Sequence, residues 1–472
     1  MSATDPSAPR PATAPGSVVP DERVTALRAR VAEQFTALRA DLEALVRIPS
    51  VSNAEFDQAH VEASAAAVAD LLRDAGLPQV DVLRVTGARG LAGAPAVVGR
   101  RAAPAGAPTV LLYAHHDVQP PGDDAHWSSP PFEPTQRGAR LYGRGAADDK
   151  AGVVAHVGAL RALGDELGVG VTVFVEGEEE IGSPTFVEFL HTHRELLAAD
   201  VIVVADSSNW KVGVPGLTTS LRGLVDLVVD VEVLSHAVHS GMFGGPLLDA
   251  PTLLARLLAT LHDERGDVAV AGLVHAPDPA VDYDEDELRA DAGVLPGVEL
   301  AGTGPLTARL WTRPAIGVIG LDAPRVASAS NTITPRASAK LSVRLAPGQE
   351  PGAAMTAVRE HLLQHAPLGA RVTVHEGEQG RAFQAPADSP GMRAARWAMG
   401  TSWGTPPVDI GVGGSIPFIS DLLDVYPDAT ILVTGVEDPD SRAHGADESV
   451  HLGELERVVL AEALLLEVLA RP

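Results

Sequence analysis

The chain has 472 residues, of which 45% are hydrophobic and 21% charged, with a formal net charge of −26 and no cysteine. That length favours more than one domain, and the acidity argues against a nucleic-acid or anionic-membrane surface, which needs clustered Lys and Arg. The lack of cysteine excludes disulfides, thiol nucleophiles and thiolate-held metal, so any metal must rest on His, Asp and Glu.

The first residues, MSATDPSAPRPATAPGSVVP, mix proline with Ala and Ser and predict a disordered leader over residues 1–22. They lack the basic start and apolar stretch of a secretory signal, and no run of 18 apolar residues follows, so a cytoplasmic protein without membrane association is expected. From Asp21 to Val46, the positions Val24, Leu27, Val31, Phe35, Leu38, Leu42 and Leu45 form one apolar helical stripe. A second helix is expected over about 60–75. Short apolar runs then alternate with helical patterns: 110–114, 169–175, 201–205 and, far downstream, 429–434. Such alternation predicts an α/β fold with a doubly wound, mostly parallel sheet. In the middle of the chain, 224–233 and 337–345 alternate with the two-residue period of half-exposed strands, and helices are expected over 247–262 and 351–365. This predicts a smaller α+β domain at 216–382, inserted between two parts of a catalytic domain at 23–215 and 383–472. The acidic stretch VDYDEDELRAD near residue 285 reads as a solvated surface excursion.

Each of the four apolar runs leads into acids or imidazoles. The first runs into His115, His116 and Asp117; the second into Glu176 and Glu178 to Glu180; the third ends at Asp206; the last precedes Glu437, Asp438 and His444. In open α/β sheets ligands gather at the carboxyl ends of strands, so these distant residues are expected at one sheet edge. Between the first two runs a Gly-rich turn, LYGRGAADDKAG, places Asp148 and Asp149 at a helix start. Imidazoles and carboxylates in this number suit a pair of borderline divalent ions with one carboxylate bridging them. The rival reading of GRGAAD as a phosphate loop fails, because its sixth position is Asp148 and its charge opposes a pyrophosphate. No HExxH is present.

The segments RIPSVSN, YAHHDVQPP, WSSPPFEP, LYGRGAADDKAG, VEGEEEIGS, SLRGLVDL, HSGMFGG, GVGGSIPF and AHGADES resemble, in order, the zinc exopeptidases that include aminoacylase, carboxypeptidase G and the cytosolic dipeptidases. The HDVQP, ADDK and GGSIP wording is most similar to the branch of the cytosolic non-specific dipeptidase and carnosinase. The resemblance implies a metal-dependent dipeptidase holding two divalent ions, zinc first and manganese or cobalt as alternatives. It implies His115, Asp148, Glu180, Asp206 and His444 as ligands, with Asp148 bridging, and Asp117 orienting His115. It makes Glu179 the general base, with Ile181-Gly182-Ser183 fixing the register among three consecutive glutamates. It assigns His239 to oxyanion stabilisation from the inserted lid, implying a homodimer through that domain. It assigns Arg344 to the substrate carboxylate, and Asn331, Gly414, Ser415 and Ile416 to the pocket lining. His116 is expected to point away, and His126, His191, His193 and His262 to lie on the surface. Asp447 departs from the family pattern His-Ser-x-Asn-Glu, and an added acid there is expected to alter substrate charge preference or metal affinity. The competing functions are an N-acyl-amino-acid deacylase or carboxypeptidase of the same superfamily and, from another class, a non-catalytic peptide-binding protein.

Overall fold

The computed structural model describes residues 19–414 and 417–471. Ser415, Ile416 and the first eighteen residues of the expected leader lie outside them; Val19 is buried, and the first helix starts at Asp21. The described chain forms two compact units. One comprises 19–219, 385–410 and 421–471; the other comprises 220–384 with 411–414 and 417–420.

The first unit is built on four parallel strands, β1 (Thr109–His115), β2 (Gly170–Glu176), β3 (Val201–Val204) and β4 (Thr430–Val433). They lie side by side in the order β2, β1, β3, β4. β1 and β2 are buried along almost their whole length, as strands covered on both faces must be. Two antiparallel strands, Gln79–Leu83 and Ala96–Arg101, extend the sheet beyond β2. The parallel register sets His115 opposite Glu176 and Tyr113 opposite Val204, so the strands end almost level. That alignment is what brings the polar tails of separate strands together.

Helices cover the sheet: α1 (Asp21–Val46), α2 (Ala59–Asp74), α3 (Lys150–Leu163), α4 (Pro390–Trp403) and α5 (Leu452–Leu469). The expected stripe of α1 is buried at Leu27, Val31, Leu38, Leu42 and Leu45, each worth roughly 1.5–3 kcal/mol in transfer from water. α3 is buried on nearly all sides. Its Gly158 is required by close packing, because a Cβ there would come 2.8 Å from both Leu38 Cδ1 and Val459 Cγ1. Among the described residues no helix is long and apolar enough to cross a membrane.

The second unit carries a four-stranded antiparallel sheet in the order Ala315–Asp322, Arg336–Leu345, Gly223–Glu232, Arg371–Gly380. Alternate residues Val225, Leu227, Val229 and Val231 face a core shared with Leu253, Leu254 and Leu257 of helix Ala250–Leu258 and with Met355, Val358 and Leu362 of helix Pro351–Gln364. The helix expected over 247–262 is shorter, because Asp249 accepts the Thr252 N–H at 2.9 Å and caps it. The acidic stretch near 285 contains a short exposed helix, Glu285–Asp291, capped by Asp284.

Candidate metal centre

The site forms where β1 to β4 end. His115 closes β1, and its Nε2 meets Asp148 Oδ1 at 3.0 Å. His444, on the loop after β4, places its Nε2 3.0 Å from Asp148 Oδ2 and 3.2 Å from Glu180 Oε2. The two oxygens of Asp148 thus face two different imidazoles. Ligand-capable atoms of His115, Asp148 and Glu180 all lie within 4.8 Å of one another, as do those of His115, Glu179 and Asp206. One imidazole is therefore common to two groups of three.

Fixed bonds orient this cluster. Asp117, two residues past His115, faces His115 Nδ1 at 3.4 Å and accepts the Glu179 and Glu180 N–H groups at 3.2 and 3.0 Å. A carboxylate that fixes both an imidazole and the neighbouring turn limits their rotation. The 178–180 run divides by partner: Glu178 accepts from Ala94 and Thr185 and is buried away from the cluster, whereas Glu179 and Glu180 join it. His116 turns its Nε2 to the Pro95 carbonyl at 2.9 Å, and burial draws it down to about 4.

The Asp148 turn is held from beneath. Glu448 is fully buried and accepts from Arg144 Nη1 at 2.6 Å and from the N–H groups of Gly145, Ala147 and Asp148 at 2.9, 2.9 and 3.1 Å. The Asp148–Asp149 peptide is cis, and Asp149 accepts the His115 N–H at 3.2 Å. Lys150 Nζ donates to the carbonyls of Leu45 and Ile48 at 2.8 and 2.7 Å, satisfying acceptors left over at the end of α1. Burial lowers Lys150 to about 7, against the pull of Glu448 and Asp117. Glu448 and Lys150 gave no sequence signal of these roles beyond lying in the quoted motifs.

The electrostatics are those of crowded acids. Burial raises Glu179 to about 9, with the Asp206 and Glu180 charges adding to it and His115 opposing. Burial raises Asp206 to about 7, with Asp148 and Glu180 adding. Burial, with the Asp148, Asp206 and Glu448 charges adding to it, pushes Glu437 well above the carboxylate range. Hydrogen bonds to Asp148 and Glu180 raise His444 to about 11. Burial works against a charged His115, but Asp117 and Asp148 hold it well above its usual range. The same imidazoles keep Asp148 below the carboxylate range despite burial. So many carboxylates around two imidazoles lack positive charge, and divalent cations with oxygen and nitrogen ligands fit that donor set.

Other expectations fare differently. Asp447 is not a free acid beside the cluster: it accepts from Ser128 N and Oγ at 2.9 and 2.6 Å and from Arg137 at 3.2 Å, which anchors the His444 loop. His126 and His191 are exposed, but His193 is half-buried against Phe189, with ring centroids 4.6 Å apart, and His262 is half-buried as well. In the second unit, strands Val238–His239 and Thr332–Ile333 pair, and the Ser240 N–H donates to the Asn331 carbonyl at 2.9 Å, so His239 and Asn331 are exposed neighbours. His239 Nδ1 accepts the Gly241 N–H at 3.0 Å, whereas His236 Nδ1 meets Ser235 Oγ at 3.0 Å. Arg344 is half-buried on strand Arg336–Leu345, opposite Leu224, and Gly414 is half-buried. Gln119, which the sequence did not single out, is bonded directly to Glu180.

A model of peptidase family M20/M25/M40 matches residues 111–468. The cysteinylglycine-S-conjugate dipeptidase of Corynebacterium striatum is 37% identical over 377 residues, 78% of this chain and 83% of that protein. The β-Ala-His dipeptidase of Rattus norvegicus is 31% identical over 271 residues, 54% of this chain and 55% of that protein. The solved structure of human carnosine dipeptidase 1 superposes with a TM-score of 0.74 at 25% identity, covering 95% of this chain and 99% of that one.

Proposed function

Because the chain belongs to peptidase family M20/M25/M40, whose model spans most of it, we propose that it is a metal-dependent dipeptidase with Glu179 as general base. The single observation that carries the two-ion reading is Asp148, whose oxygens each face a different imidazole at 3.0 Å. His115, Glu179 and Asp206 flank one side of the site, and Glu180 and His444 the other. In this reading His115, Asp206, Glu180 and His444 hold two ions and Asp148 serves both. Zinc suits this mixture of imidazole and carboxylate, with manganese and cobalt as chemical alternatives. When bound, such ions supply Lewis acidity toward the scissile carbonyl and lower the pKa of water.

The chain's own groups do the proton work. Glu179, fixed through its N–H to Asp117, takes the proton of the attacking water and returns it to the leaving amine. A carboxylate raised by burial and neighbouring acids is suited to both halves of that exchange. In the second unit, Arg344 is the group for the substrate carboxylate, where a planar fork binds in two places. His239 is the donor for the developing oxyanion, and Asn331 and Gly414 line the pocket. The working form is a cytoplasmic homodimer joined through the second unit.

The test is a panel of dipeptides, tripeptides and N-acetyl amino acids given to the metal-loaded protein, with products read by mass. Cleavage confined to dipeptides with a free amine is expected. Release of acetate with dipeptides untouched makes it a deacylase, trimming of longer C-termini a carboxypeptidase, and binding without turnover removes catalysis.

A further inference from the structure

The turn that carries Glu179 and Glu180 is gripped by one short segment, residues 117–119. Asp117 takes the two backbone N–H groups, as described. Gln119 takes the rest of Glu180: its backbone N–H donates to Oε1 at 3.0 Å, and its side-chain Nε2 donates to Oε2 at 2.8 Å and to the Glu180 carbonyl at 3.0 Å. A carboxylate offers about four lone-pair positions over its two oxygens, and Gln119 occupies one on each. That leaves one direction open on each oxygen, and His444 Nε2 already stands in the open direction of Oε2 at 3.2 Å. Without the side-chain amide, the Glu180 carboxylate is free to turn about its terminal torsion, which is broad and costs little to rotate.

The bonds of Gln119 are also selective. They reach Glu180, which groups with His115 and Asp148, and none of them reaches Glu179 or Asp206. We propose that Gln119 is a positioning residue that aims the Glu180 carboxylate, so that it sets the affinity of one of the two cation positions and leaves the other alone. This rests on the two-ion reading above. Groups that orient a metal-binding carboxylate change affinity by about 10–100-fold when removed, and here the change falls on one ion.

The test titrates metal-free full-length protein with Zn²⁺ alone against a chromophoric chelator, following both uptake steps. Gln119→Met keeps the length of the side chain but removes the amide. The expected result is one uptake step weakened about 10–100-fold and the other unchanged. Glu180→Gln should weaken the same step. Gln119→Asn retains an amide one methylene short and should fall between; it also serves if the methionine variant does not fold. Two steps like those of the wild type in both variants, or two steps weakened alike, overturn the proposal. A wild-type protein that takes up fewer than two ions overturns the two-ion reading itself and Gln119's part with it, and so is told apart from a failure of Gln119 alone.

Discussion

Glu179 differs from its neighbours by what it does not touch. Glu178 is tied to Thr185 and Ala94, and Glu180 to Gln119 and His444, while the Glu179 side chain stands in the group with His115 and Asp206. A base must be free to receive and return a proton, and that arrangement leaves Glu179 the freest of the three. Glu179→Gln keeps size and polarity but cannot take the proton. The expected outcome is a loss of about 10²–10⁴-fold in kcat with uptake of metal preserved; turnover within a factor of a few of wild type in a steady-state assay removes Glu179 from the role. At this scale the strand ends brought His115, Asp206 and His444 into view among neighbouring acids and imidazoles, and the family resemblance singled them out as expected ligands. The sequence was silent about Gln119 and Glu448, whose contribution is a set of bonds to residues 61 and more than 300 positions away. The partners of Asp447, Ser128 and Arg137, were not legible either, because they lie in a distant part of the chain.

The two outer strands of the four-stranded sheet are unlike each other. Arg371–Gly380 carries Arg371, His375, Glu376 and Glu378, the charges with which natural sheets discourage pairing at an edge. Ala315–Asp322 exposes Val318, Ile319 and Leu321, at 50%, 61% and 61% of their surface. An apolar edge of this kind, charged only at its last residue, Asp322, is suited to a second copy, which supports the proposed homodimer. Ile319→Lys places a charge on that edge where no core packing is lost. It should turn a dimer into a monomer in sedimentation equilibrium and reduce turnover with it, if the partner's lid completes the site. A wild-type protein that sediments as a monomer, or a variant that remains dimeric, sinks the assignment. Elements with a clear signal were legible in advance: α1 by its helical period, and the four parallel strands as short apolar runs between helical patterns. α5 was not, because LGELERVVLAEALLLEVL is buried on almost every side and shows no polar face to mark its period. The edge strand Ala315–Asp322 was also missed: with glycines at 317 and 320 and a bulge between Val318 and Gly320, it lacks the alternation that identifies a strand.

Across the whole molecule, a net charge of −26 sets the cost of leaving the acidic site without cations. Asp206 near 7, Glu179 near 9 and His444 near 11 all keep protons in the folded, metal-free protein that the unfolded chain releases sooner. The folded state then binds more protons than the unfolded state, so stability falls as pH rises through neutrality. Lys150, lowered to about 7, works the other way but is one group against three. The chelated protein should therefore melt at lower temperature at pH 8.5 than at pH 6.5 in differential scanning calorimetry. Saturating Zn²⁺ should abolish or reverse that slope, since cations take the place of the protons; a chelated protein with no such slope shows that the acids are neutralised in some other way. The pairing of β3 with β4 has a consequence for the order of biosynthesis. Val201 lies beside Thr430, and between them the chain runs through a second unit whose own sheet is complete within residues 223–380. A ribosome adding about 5–20 residues per second leaves β3 waiting roughly 10–45 s for its neighbour, while the inserted unit has all it needs to fold first. His444 emerges later still, so a nascent chain that has not yet reached it lacks one of the two imidazoles that face Asp148.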